Sequence, residues 1–315
     1  MKRDTRDAAR GRWKGILTAL GVEERFLRNR HGPCPICGGK DKFRFDDKNG
    51  EGTWFCNFCR AGDGFTLIQG LRGCSFQEAA KLVDEVVGNA EYRAPRPVNG
   101  DPVRRRQRLT AIWRETQSMD SPNAARRYLK GRGLQPSPAT RFHPGLTYFE
   151  DGRAVGVYPA MVHRLQLAGG KPLTLHVTYL TEAGEKAPVE SPKKILPPLL
   201  QDNGEKIPFD GCAIRLFKPG RHIGIAEGIE TAMAARTLYD IPVWASYSAD
   251  LLAKWQPPAG TELVTIFADK DESFTGQMRA YELAWRLRRE GFGVRVLEPE
   301  VVGTDFADLI KRESA

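Results

Sequence analysis

The sequence has 315 residues and is 41% apolar, with 48 Lys+Arg against 39 Asp+Glu for a formal net charge of +9. That length exceeds one typical hydrophobic core, so two or three domains are expected. No run approaches the roughly 20 consecutive apolar residues that a membrane span needs.

The N-terminal stretch MKRDTRDAARGRWKG lacks the apolar segment of a signal peptide. A cytoplasmic location with no membrane partner is therefore expected, with the six cysteines reduced. Charge is unevenly placed: residues 1–130 hold 26 Lys+Arg and 16 Asp+Glu, a net of +10, while the remainder is close to neutral. Such a basic half suits a polyanion, of which nucleic acid is the usual one.

Residues 1–30 begin with a helical pattern over 5–20, where Trp13, Ile16, Leu17 and Leu20 share one stripe. Then comes CPICGGKDKFRFDDKNGEGTWFCNFC, which places two CxxC pairs 18 residues apart within a unit of residues 31–64. Each pair can present two thiolates from one tight turn. Cys34, Cys37, Cys56 and Cys59 together make a closed tetrahedral donor set for a structural Zn²⁺. Gly38, Gly39 and Gly62 follow the two turns, where positive φ is often needed. His31 is a bystander to a complete four-thiol set, and Cys74 and Cys212 are expected to be ordinary buried thiols.

Phe43, Phe45, Trp54, Phe55 and Phe58 crowd this small ribbon. Alternation along KFRF sets Lys42 and Arg44 on the face opposite Phe43 and Phe45. Cations beside rings suit single-stranded nucleic acid, so Lys42, Arg44 and Trp54 are candidate contacts.

Residues 65–88 predict two helices, Phe65–Leu71 and Ser75–Val87, the second opened by a capping box of Ser75 and Glu78. Residues 89–108, rich in Pro and Arg, read as a linker whose basic end (Arg104, Arg105, Arg106) contacts phosphate. Residues 109–217 read as a central α+β domain. A helix begins at Ser121-Pro122 and ends at Gly131 or Gly133, and strands follow at VGVYPAMV and TLHVTYL.

From about residue 221 strands and helices alternate strictly to the C-terminus, predicting an α/β domain over 218–315 with a mainly parallel sheet. Acids fall just after its strands: Glu227 after IGIA, Asp269 and Asp271 after VTIFA, then Asp305 and Asp308. A hard cation such as Mg²⁺ or Mn²⁺ would relieve their repulsion. Any one of them could instead cap the helix that follows its strand.

The segments AEGIETA, FADKDESFTG and GTDFADLI resemble the three acidic motifs of the Toprim fold, which is shared by DnaG-type primases, topoisomerases and some nucleases. The resemblance covers roughly residues 221–311. It implies that Glu227 is the catalytic glutamate, that Asp269 and Asp271 join it in holding Mg²⁺, and that Asp305 or Asp308 is a further catalytic acid. The cysteine ribbon is similar to that of phage-satellite and plasmid primases, as are ARRYLKGRGL, YPAMV and the KK…GCAIRL stretch.

The resemblance thus implies a zinc ribbon, a central domain and a Toprim domain acting as a primase on a single-stranded DNA template with NTPs. Lys193, Lys194 and Arg215 are the candidate phosphate contacts of the central domain. Many relatives carry a fused helicase, but this sequence has no GxxxxGK[ST] motif, so a replicative helicase is expected in trans. Two alternatives stay open: a non-catalytic zinc and Toprim recombination mediator resembling RecR, and a Toprim nuclease.

Overall fold

The computed structural model describes residues 5–89, 101–150 and 152–313. It divides into two compact units, residues 1–100 and 101–315.

In the first unit, helices α1 (Thr5–Ala9) and α2 (Trp13–Ala19) replace the single helix expected over 5–20. The break is at Gly11, whose φ of 73° leaves the helical region. A three-stranded antiparallel ribbon follows: β1 (Phe43–Phe45), β2 (Trp54–Cys56) and β3 (Arg60–Gly62). Then come α3 (Gly64–Arg72) and α4 (Phe76–Val86). The capping box is present, with Ser75 N–H donating to Glu78 at 2.8 Å.

The core of this unit joins Trp13, Ile16 and Leu17 to Phe43, Phe45, Trp54, Phe65 and Leu67. Gly64 has no room for a side chain, since a Cβ there would lie 2.1 Å from the Trp13 ring.

Residues 90–100 of the expected linker lie outside the described residues. Its basic end is not extended chain but the start of α5 (Pro102–Glu115), which the Asp101 side chain caps through the N–H groups of Val103 and Arg104. Pro102 supplies a ready-made first turn. Helix α6 (Ala124–Lys130) starts two residues later than Ser121-Pro122 suggested, because the Asn123 side chain provides the cap.

The strands that follow are β4 (Arg141–Glu150), β5 (Arg153–Gln166), β6 (Pro172–Tyr179), β7 (Lys193–Ile195) and β8 (Ala213–Ile214). The alternating region then gives β9 (His222–Ala226), α7 (Ile229–Tyr239), β10 (Val243–Ala245), α8 (Ala249–Lys254) and β11 (Leu263–Phe267). It closes with α9 (Thr275–Arg289), β12 (Gly293–Leu297) and α10 (Phe306–Glu313).

All strands from β4 to β12 belong to one sheet of order β12-β11-β9-β10-β8-β5-β6-β7, with β4 beside β5. Its pairs from β12 to β10 are parallel and the rest antiparallel. Strand β8 welds the two regions by pairing Leu165↔Ile214 on one side and Ala245↔Ile214 on the other. The cores agree: Tyr128, Leu129, Met161 and Leu165 share one cluster with Ile229, Met233, Phe267 and Phe306. A second cluster packs Leu252, Trp255, Leu283 and Leu287 against Ile225 and Ile266, so α7 and α10 cover one face of the parallel strands and α8 and α9 the other.

Candidate active site and metal centre

Strand order places the chemistry. From β9 the chain passes through α7 to β10 on one side, and from β11 through α9 to β12 on the other. Adjacent strands whose connections depart in opposite directions leave a crevice beyond their C-terminal ends. The register Ala226↔Phe267 aligns those ends, and the next residues are Glu227 on one strand and Ala268-Asp269 on the other.

A cleft of about 310 Å³ opens there, lined by Glu227, Asp269, Asp305 and Asp308. Residues 101–217 contribute Tyr128, Arg132, His176, Lys186 and Lys193 to the same lining. Asp271 does not line the cleft.

The acids divide into two kinds. Glu227 is pushed up to about 8 by burial, then by the charges of Asp269 and Asp271. Asp269 is pushed up to about 7 by burial, then by Asp305 and Asp271, with Lys193 partly offsetting them. Asp269 Oδ1 is buried without a hydrogen-bond partner.

The others cap helices. For Asp271 burial alone would raise the carboxyl, but Ser273 and the N–H groups of Gly276 and Thr275 hold it below its ordinary value. Asp305 Oδ1 accepts from Ala307 N–H at 2.7 Å, and Asp308 Oδ2 accepts from Asp305 N–H at 3.2 Å, a reciprocal cap on α10. The capping reading therefore describes part of what three of these acids do, and Glu227 too accepts from Ala249 N–H at the start of α8, but in Glu227 and Asp269 burial and like charge outweigh such bonds.

Those two carboxylates, one with an unpartnered oxygen, fit a hard divalent cation. Among the described residues, only the four cysteines gather three or more metal-ligating atoms within 4.8 Å of one another. Waters or substrate phosphates would complete the shell of a cation here, as Mg²⁺ usually requires.

Sequence reasoning passed over Glu230, although it sits within AEGIETA. It is buried, accepts from Tyr128 Oη at 2.7 Å, and pairs with Lys193 Nζ at 2.8 Å. Burial alone would raise it, but Lys193 and Tyr128 hold it down to about 2. This pair ties α7 to β7 and holds a lysine in the same cleft as Asp269, whose carboxyl feels its charge. His176 stays neutral, driven down to about 3 by burial and the nearby His163. Tyr128 and Arg132 lie in ARRYLKGRGL, which carried the resemblance without a role for either, and no sequence pattern marks Lys186 for the cleft.

Lys193→Met should cost about 2 kcal/mol at pH 7, discounted because the lysine head reaches solvent. Glu230 has a depressed carboxyl, so its stabilisation is present above its ordinary value near 4.5 and fades as pH falls toward 2. The cost of the substitution should shrink over the same window. Urea unfolding at pH 7 and pH 3 measures both, and an unchanged midpoint at pH 7 would show that the pair carries no net stability.

The other candidate phosphate contacts are placed elsewhere. Lys194 Nζ donates to Phe149 O at 2.8 Å over the Tyr148 ring. Arg215 donates to Leu167 O and Ala168 O and lies over Trp244. Neither lines the cleft. On α5, Arg105 donates to Pro198 O at 3.0 Å and Arg106 contacts Asp202 at 3.4 Å, while Arg104 is exposed.

In the ribbon, Cys34 Sγ lies 3.9 Å from Cys59 Sγ, and Cys37 Sγ lies 3.8 Å from Cys56 Sγ. Four sulfurs about 2.3 Å from a tetrahedral Zn²⁺ stand about 3.8 Å apart, so the donor set and its spacing fit zinc. The positive φ expected at the knuckles falls on Gly38 (71°) and on Arg60 (74°) rather than Gly39 or Gly62.

Trp54 is corrected from nucleic-acid contact to core. It is 4% exposed, donates its Nε1–H to Asp63 O at 2.8 Å and stacks on Phe43. A ribbon this small needs its largest ring inside. The outward rings are Phe55, which pairs across from Arg44, and Phe58, 59% exposed. Arg44 also lies 3.6 Å from Asp46.

Among the described residues, no helix is long and apolar enough to cross a membrane. Residues 103–205 match a family described as a domain of unknown function (DUF7146). In backbone course the chain is similar to the zinc-binding and RNA polymerase domains of the Aquifex aeolicus primase, at 16% identity and a TM-score of 0.43, covering 99% of this chain and 83% of that one. It is also similar to the primase fragment of the bacteriophage T7 primase-helicase protein, at 16% identity and a TM-score of 0.40, covering 90% and 97%. A DNA primase domain from Pseudomonas aeruginosa is similar at 15% identity and a TM-score of 0.42, covering 66% and 74%. Residues 29–65 match the zinc-binding domain of primase-helicase and residues 222–315 the Toprim domain, so a primase-type zinc ribbon precedes, and a Toprim domain follows, the central region of this chain.

Proposed function

We propose that this chain is a DNA primase that makes short RNA primers on single-stranded DNA, serving the replication of a phage, plasmid or integrated element. The observation that carries the reading is a single cleft lined both by Glu227 and Asp269 and by Lys193, Lys186 and Arg132. Support comes also from the match of residues 29–65 to the zinc-binding domain of primase-helicase.

Primer extension joins the 3′-oxygen of one nucleotide to the α-phosphorus of the next and releases pyrophosphate. Glu227 is assigned the catalytic carboxylate, and Asp269, with Asp271 beside it, the binding of Mg²⁺ or Mn²⁺. A bound cation would neutralise phosphate charge during transfer. The three basic residues are assigned to the triphosphate, where fixed cations meet charge developing on the phosphoryl oxygens. The ribbon's outer face, with Lys42, Arg44, Phe55 and Phe58, is assigned to template strand through phosphate pairing and base stacking.

Incubation with single-stranded DNA, NTPs and Mg²⁺ should yield new short RNA oligonucleotides, which neither NTP hydrolysis nor template cleavage can supply. Cut template without new product would assign the same acids to nucleolysis. Binding without either product would leave a non-catalytic mediator.

A further inference from the structure

Helix α9 has two apolar faces. One, with Ala280, Leu283 and Leu287, is buried against the sheet and α8. The other carries Phe274 (69% exposed), Met278 (50%), Tyr281 (56%) and Trp285 (63%) in a single stripe. At about 200 Å² per large side chain, these exposures leave roughly 500 Å² of largely apolar surface, the upper end of what monomers keep uncovered. Phe274 also holds a left-handed backbone, φ 56°, which a non-glycine residue adopts at a cost.

The spacing says what covers the stripe. Steps of four, three and four residues are those of a coiled-coil seam, and they read the same in either direction. An antiparallel copy of α9 would therefore set Phe274 against Trp285 and Met278 against Tyr281, and the same two layers would form again about the twofold axis. Charge follows the same reversal. Lys270, Asp271 and Glu272 precede the helix with a net negative charge, and Arg288 and Arg289 end it beside the internally paired Arg286 and Glu290, so each net-basic end meets the partner's net-acidic end. Glu282, beside the stripe, is neutralised within its own helix by Arg279 at 2.6 Å.

We infer that α9 is a homotypic docking surface through which two copies of this chain pair antiparallel. A stripe of this size, with its charged flanks, reaches only the low end of specific interfaces, near 600 Å² per partner. The dimer is therefore weak and reversible, with a dissociation constant in the micromolar range.

Sedimentation velocity of the full chain from about 1 to about 100 µM tests this. The wild type should pass from monomer to dimer. Tyr281→Lys combined with Trp285→Glu should remain monomeric throughout with a thermal midpoint lowered only slightly, since these side chains are exposed in the monomer, where they meet Glu298 at the Tyr281 hydroxyl and Arg289 over the Trp285 ring. Arg288→Glu should weaken the dimer about tenfold, and adding Glu272→Arg should restore it. A wild type that stays monomeric at the highest concentration overturns the inference, as does a dimer that survives the double substitution. A dimer indifferent to Arg288→Glu overturns the antiparallel register. Loss of single-stranded DNA binding by the double variant of a monomeric chain would make the stripe a base-stacking platform instead.

Discussion

Glu227→Gln and Asp269→Asn should each abolish Mg²⁺-dependent primer synthesis, and each should make the metal-free protein more stable at neutral pH. The sign follows from the direction of the shifts. Glu227 titrates near 8 in the folded chain and near 4.5 when unfolded. Between those values the folded state binds the extra proton, so stability falls as pH rises from about 4.5 through about 8. At pH 7 the cost is about 3 kcal/mol, and the neutral amide removes it.

Thermal unfolding at pH 5 and pH 8 separates the contributions. The stabilisation by Glu227→Gln should be small at pH 5 and large at pH 8, and Mg²⁺ should raise the wild-type midpoint more at pH 8, where fewer protons compete for its ligands. Asp271→Asn should behave differently and lose about 1 kcal/mol, because that carboxylate caps α9 through Thr275 and Gly276. The two activity-abolishing substitutions together should be no worse than either alone, as expected for parts of one assembly. A Glu227→Gln protein that is less stable than wild type at pH 8 would mean that the carboxylate is satisfied in the metal-free fold.

Cys34→Ser or Cys56→Ser should release the zinc and unfold the ribbon while residues 101–315 keep their cooperative transition. Four thiolates that hold a structural zinc contribute on the order of 10 kcal/mol to the fold of so small a unit. Its three strands have three residues each, too little to hold together alone. Metal analysis should find about one zinc per chain in the wild type and none in either variant, and calorimetry should lose only the transition of the N-terminal unit. A folded ribbon without metal would show that the Trp13, Phe43 and Trp54 core suffices. Template-dependent activity should fall with the ribbon, whereas Mg²⁺ stabilisation of the cleft should persist.

Much of the ribbon was legible because its information is local. Two CxxC pairs state their chemistry by spacing, and the alternation of Phe43, Arg44 and Phe45 states which face is inside. The same local rule erred at Trp54, where ring type suggested a binding surface and only packing showed that the core needs the ring. The parallel strands were equally legible, since each βα unit announces itself by a periodicity that changes from two to 3.6. The acids at the strand ends could be placed by position alone. Their division could not: whether an aspartate caps a helix or sits buried beside like charge depends on backbone N–H groups and neighbours that the motif does not state.

The basic lining was least legible. Tyr128 and Arg132 come from α6 and the turn after it, Lys186 from the stretch between β6 and β7 and Lys193 from β7 itself, where the sequence says only that a helix, a turn or a short strand is near. Lys193 and Lys194 are adjacent and alike, yet alternation along β7 gives Lys193 to Glu230 and the cleft and Lys194 to Phe149 and the Tyr148 ring. The sequence by itself therefore determined the zinc ligands, the strand-helix order and the acids at the strand ends, because these are set by spacing and periodicity along the chain. Only the tertiary structure decided which cations face those acids, that β8 joins the central and Toprim regions into one sheet, and which face of α9 is left bare, because each depends on strands pairing across long stretches of sequence.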